Sequence, residues 1–165
     1  MVDGPAAGHA ITFLTAAAGL RDAVRSGPIR VQADDVAELL QDPIRCQVVL
    51  VTLPETTPVN EVVETAYALE DRVGVQLGPL VVNGVDATAV EVPDAEAVLA
   101  AGEADRELLV QAADFRRARL ALQRNEIERL RRELALDQWH LPLLPVAGLG
   151  VREVVELAGA LRVAT

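Results

Sequence analysis

Two short runs of branched apolar residues, each bounded by turn formers, dominate the hydrophobic pattern: Gln47 to Thr52 (QVVLVT) and Leu77 to Asn83 (LGPLVVN). Runs of this length and composition read as strands buried in a parallel sheet. Between them Val59, Val62, Val63, Ala66, Leu69 and Val73 recur at helical spacing. Thr57 is placed to cap that helix, Pro58 suits its first position, and Gly74 ends it. The unit is strand–helix–strand, a connection that is right-handed in parallel sheets. Asp137 to Leu144 reads as a third strand and Val151 to Leu161 as a closing helix.

Further helical stretches flank this unit. Ala10 to Arg25 is apolar and Ala-rich, and Asp34 to Leu40 follows the break at Gly27-Pro28. Pro93-Asp94 opens a short helix through Ala101, which Gly102 breaks. The longest periodic segment runs from Glu103 to Leu136, with Leu108, Ala112, Phe115, Leu122, Leu130 and Leu134 expected on one broad face. Its acids and bases balance, and Glu128–Arg132 has the supportive four-residue spacing. The expected architecture is α/β in three layers, a mostly parallel sheet with helices on both faces, over one domain spanning residues 1–165.

Composition narrows the partners. A chain of 165 residues that is 51% hydrophobic can bury a core. A formal charge of −10 disfavours nucleic acid or an anionic membrane surface as partner. No apolar run reaches the ~18 residues of a spanning helix, and no charged-then-apolar leader is present. The single Cys46 cannot close an internal disulfide, so the chain reads as cytoplasmic. It contains no lysine at all. A phosphate-binding loop of the G-x-x-x-x-G-K-[ST] kind requires one, so that chemistry is not in this polypeptide.

Four stretches could carry chemistry. Asp3-x-Pro5-x-x-Gly8-His9 offers a carboxylate able to hold Mg²⁺ through water and a glycine that lets a loop swing; the alternative is turn chemistry. Asp3 resembles the last residue of a strand, yet two residues precede it where a strand needs about 5–6. Either the chain is a fragment, or its edge is completed by something else. Glu55, after the strand-end Leu53-Pro54, sits where ligands bind in open parallel sheets, or simply complements a helix N-terminus. Asn83 in Val81-Val82-Asn83-Gly84 presents an amide donor and acceptor that match an adenine edge, or makes an Asn-Gly turn. Leu141-Pro142-Leu143-Leu144-Pro145, leading to Gly148-Leu149-Gly150, could cover a base or merely pack. His140 reads as a structural histidine, and Arg116-Arg117-x-Arg119 as a solvated helix face.

Together, the order and spacing of these stretches resemble the carboxyl-terminal half of the arsenite-pump and tail-anchored-protein-targeting (ArsA-like) ATPases, a branch of dimeric P-loop NTPases. The phrases Val51-Thr52-Leu53-Pro54-Glu55-Thr56-Thr57-Pro58-Val59-Asn60-Glu61 and Gly78-Pro79-Leu80-Val81-Val82-Asn83-Gly84 look like the actinobacterial members. The resemblance implies a switch II at Asp3, Gly8 and His9, with Asp3 the Mg²⁺-linked aspartate. It implies nucleotide contact by Glu55, adenine reading by Asn83, and an adenine loop at Pro142, Leu143, Leu144 and Pro145. The implied activity is MgATP hydrolysis that drives a conformational change across a homo- or heterodimer.

The departures limit what this chain does alone. The phosphate loop and the switch I aspartate have no counterpart, and Ala7 replaces the usual switch II threonine. There is no C-x-x-C for the family's intersubunit zinc, and lone Cys46 cannot build a multi-thiolate arsenite site. About 35 residues separate His9 from Arg45, with no Met-rich insertion for a client helix. The expectation is an ATP-binding portion, inactive by itself, with the missing amino-terminal half or a related chain as partner. The alternative is a non-catalytic module that pairs with a partner ATPase through the Glu103–Leu136 helix.

Overall fold

The computed structural model describes residues 1–87 and 102–163. In chain order the elements are α1 (Ala7–Ala23), α2 (Pro28–Gln41), β1 (Gln47–Val48), β2 (Val51–Thr52) and α3 (Thr56–Arg72). They continue with β3 (Gln76–Leu77), β4 (Leu80–Val85), α4 (Glu103–Glu133), β5 (Gln138–Pro142) and α5 (Val151–Val163). The fold is α/β and, among the described residues, every strand pairing is parallel: β1 with β3, and β4 between β2 and β5. The short helix expected up to Ala101 lies outside the described residues.

Each expected strand of the strand–helix–strand unit is interrupted once. Pro79 has no N–H to give a ladder, so β3 and β4 separate around Gly78-Pro79. Pairing is carried across the gap by Gly78 N–H to Val48 O at 2.9 Å and Val81 N–H to Leu50 O at 2.8 Å. The bonds that use Leu50 direct the backbone of Val51 the other way, so among the described residues β1–β2 is an open edge, where Val51 is 62% exposed.

α3 begins two residues earlier than its sequence pattern predicts. Glu55 is the N-cap, its carbonyl accepting from Val59 N–H at 3.0 Å, and Pro58 is the third helical residue rather than the first. A proline costs no hydrogen bond there, because the first four helical N–H groups have no partner within the helix. Gly74, at φ 71°, takes the left-handed conformation that stops α3. Gly27, at φ 103°, precedes Pro28 at the start of α2.

The core lies between the sheet and the helices α3 and α4. Val59, Leu69, Leu80, Val82 and Leu130 are fully buried in it. Leu80 and Val82 belong to that cluster, whereas the alternate residue Val81 is buried outside it, turned to the opposite side of the sheet. α1 packs on α2 and α3, and α5 packs on β5. Of the broad face expected for the long helix, Leu130 and Leu134 are buried, whereas Leu108, Ala112, Phe115 and Leu122 are exposed. The buried seam is Leu120, Gln123, Ile127, Leu130 and Leu134, and Phe115 is 71% exposed.

Candidate functional site

The carboxyl edge of the sheet gathers three of the four stretches singled out in the sequence. In the parallel register Val82 lies opposite His140 and Val85 opposite Pro142, with Leu143 N–H donating to Val85 O at 2.9 Å. Asn83 and Pro142–Leu144 therefore leave neighbouring strands at the same end. Thr52 lies opposite Val82 on the other side, so Leu53-Pro54-Glu55 leaves that end as well. Glu55 is exposed at the N-cap of α3.

Asn83 is not the end of its strand. Between Val82 and Val85 three steps of β4 oppose two of β5, a bulge made at Asn83-Gly84 with Gly84 at φ 73°. The bulge explains how an exposed Asn83 follows three consecutive buried residues. A Cβ on Gly84 would stand 3.6 Å from Leu53 Cδ2, so the β2 exit loop lies against the bulge. Partly exposed Leu53 and Leu143 leave from the two strands that flank β4. The arrangement is an open shelf, with an amide flanked by strands that each end in an apolar residue. A cavity of about 270 Å³ lined by Tyr67, Leu77, Leu134 and Leu136 is at the amino edge instead, away from these residues.

Helix α4 ties the shelf's loops down through Gln123, Glu126 and Arg129, which the sequence pattern did not single out, and through Arg116 and Arg119, which it read as part of a solvated face. Gln123 Oε1 accepts from Asp86 N–H at 2.9 Å while its Nε2 donates to Asp86 O at 3.0 Å. Arg116 Nη2 lies 3.4 Å from Asp86 Oδ2, and Arg119 Nη2 lies 3.8 Å from Glu55 Oε1. The last pair is half-exposed and weak. Thr56 Oγ1 donates to Glu126 Oε1 at 3.0 Å, and Arg129 Nη1 to Asn60 Oδ1 at 2.6 Å. Glu126 Oε2 is buried 3.5 Å from Arg129 Nη1, whose positive charge offsets its own. Two of the three arginines expected on a solvated face thus reach the shelf's loops. The available signal was Gln123 and Glu126 falling on a helix seam otherwise made of leucine and isoleucine.

Asp3, Gly8 and His9 are not joined to the shelf by any hydrogen bond among the described residues. Asp3 is exposed in the irregular stretch before α1, and Gly8 and His9 form the exposed first turn of α1. Their bonds are local: His9 N–H to Ala6 O at 2.9 Å, and Thr12 Oγ1 to Gly8 O at 3.3 Å. His140 sits in β5 with Nε2 3.2 Å from Gln138 Oε1. Burial, and secondarily the nearby Arg131 charge, lower its pKa below the ordinary 6.5. The Glu133 carboxylate, hydrogen-bonded to Arg129, raises that guanidinium above its ordinary value. Among the described residues no group of three or more His, Cys, Asp or Glu could hold a metal ion, and no helix is long and apolar enough to cross a membrane.

No protein-family model matches the chain, and no curated protein is similar enough to count as a match.

Proposed function

We propose that this chain is the adenine-reading portion of an ATP-binding domain of the arsenite-pump and tail-anchored-protein-targeting type, a partial P-loop NTPase fold in three layers. The observation that carries the reading is the parallel register of β4 and β5, which sets Asn83 beside Pro142–Leu144 at one sheet edge. The Asn83 amide meets the donor and acceptor on the edge of adenine, and Leu53 and Leu143 stand ready to shield the ring's faces. The adenine end of MgATP fits the residues present. The phosphate and Mg²⁺ end does not: Asp3 is exposed ahead of α1, and no lysine exists in the chain. The reading therefore assigns phosphate and metal contacts to residues other than this chain's, and hydrolysis to the assembly that joins them.

Two measurements test this. The purified chain should release no phosphate from ATP above a heat-inactivated control. In the assembly that binds ATP, Asn83→Ala should weaken binding about ten- to a hundredfold, because losing one well-placed polar contact costs ~1–3 kcal/mol. Unchanged affinity overturns the assignment of Asn83.

A second reading, a non-catalytic module that docks on a partner ATPase through α4, draws on the exposure of that helix's first half.

A further inference from the structure

A cavity of about 70 Å³ lies where α1, α2 and α3 meet. Its apolar walls include Leu14 of α1, Leu40 of α2 and Val73 at the end of α3, and its polar lining is Arg21, Gln41 and Arg72. One water needs ~10–15 Å³ of such space, so the cavity admits a group of a few heavy atoms. Among the described residues no acid lines it, in a chain where 25 acids outnumber 15 bases. Asp22 and Asp71 adjoin the two arginines in sequence but stand outside the lining.

Neither guanidinium is engaged elsewhere among the described residues. Arg21 follows Ala17 and Ala18 by one helical turn, and Arg72 follows Ala68 and Leu69, so no carboxylate stands one turn before either. Both sit in the last turns of their helices, where a cation complements the dipole. Other groups already close those ends. Arg30 Nη1 donates to Arg21 O at 2.6 Å and Val24 O at 3.3 Å, and Gly74 N–H donates to Leu69 O at 3.0 Å. The two helix ends carry about one negative charge between them, against two guanidiniums, which leaves about one positive charge at the cavity.

We propose that this cavity binds a short aliphatic monocarboxylate, its head held by Arg21 and Arg72 and its tail laid against Leu14, Leu40 and Val73. Guanidinium forks match the paired oxygens of a carboxylate, and the Gln41 amide supplies a further donor. One net positive charge suits a monoanion better than a phosphate dianion. The apolar walls favour a ligand that brings methylenes, which a bare inorganic anion lacks. The inference does not rest on the adenine reading, because Arg72 and Glu55 stand at opposite ends of α3, about 25 Å apart along its axis.

Titration of the ¹⁵N-labelled full chain with sodium butyrate, at pH 6.5 and low salt, tests it at the Nε–H signals of Arg21 and Arg72. Saturation is expected in the millimolar range, with formate at least threefold weaker and no shift from butyramide or n-butylamine. Arg72→Gln, at an exposed position, should weaken butyrate binding at least tenfold, and Arg21→Gln likewise. Arg25→Gln, which removes the same charge outside the lining, should leave the affinity within twofold. Circular dichroism melting reports whether each variant is folded, and Arg72→Gln carries the test if Arg21→Gln unfolds. Butyrate that moves neither arginine signal, butyramide that binds as tightly, or an Arg72→Gln chain that binds like wild type overturns the proposal. Inorganic phosphate that binds more tightly than butyrate assigns the arginines to phosphate and also overturns it.

Discussion

The two halves of α4 are one continuous helix in two environments. After Leu120 its seam is locked: Ile127, Leu130 and Leu134 join the core under α3, Gln123 grips the backbone of Asp86, and Glu126 receives Thr56. Before Leu120 the same helix carries Leu108, Leu109, Val110 and Phe115 into solvent. Apolar content does not distinguish the halves. What distinguishes them is whether a sheet lies alongside, and the anchored half includes buried polar groups that a hydrophobic pattern alone assigns to the surface. Packing, rather than intrinsic propensity, supplies most of a helix's stability, so side-chain truncation should cost much in the anchored half and little in the exposed one.

Leu130→Ala should produce the largest loss of fold stability, about 2–5 kcal/mol in denaturant unfolding, because a fully buried side chain leaves a cavity in the core. Less than ~0.5 kcal/mol would mean that α4 is not fastened where the contacts place it. Gln123→Ala comes next, at about 1–3 kcal/mol, since it removes two hydrogen bonds to the backbone of Asp86. Phe115→Ala should change stability by no more than about 0.5 kcal/mol, because its side chain is 71% exposed. A core-sized loss there would erase the difference between the halves.

The smallest expected effect is a pH dependence. The folded pKa of His140 lies below its unfolded value near 6.5, so the unfolded chain binds more protons in the window between the two. Stability from keeping His140 neutral is complete above pH 6.5 and is lost as pH falls through 6.5 toward the lower folded value. His140→Gln should flatten that part of the stability profile. A slope unchanged by the substitution would assign it to other groups.

Part of this molecule was legible from its pattern. The runs QVVLVT and LGPLVVN with the helix between them gave parallel neighbours, and strand-end positions brought Glu55, Asn83 and Pro142 to one edge because parallel strands share their carboxyl ends. The bulge at Asn83-Gly84 was read as a strand end or a turn, since a positive-φ glycine serves both and only pairing with β5 tells them apart. Leu130 and Leu134 were placed correctly on the buried face of α4, but ahead of them the face was misplaced by roughly one residue's rotation: Leu108, Phe115 and Leu122 repeat every seven residues as regularly as the true seam does, and Gln123 masks that seam. Asp3, Gly8 and His9 were joined to the edge only by resemblance; among the described residues Gly8 and His9 bond to neighbours in and just before α1, and Asp3 is exposed ahead of it.

The adenine shelf is tested most directly by residue-resolved NMR of the ¹⁵N-labelled chain titrated with adenosine, which needs no phosphate contacts. The account predicts shift changes centred on Leu53–Glu55, Asn83–Val85 and Leu141–Leu144, saturating only at millimolar concentration (about −4 kcal/mol for a ligand without its phosphates), and much smaller changes with guanosine. No perturbation at that edge, or the same perturbation by both nucleosides, would contradict it.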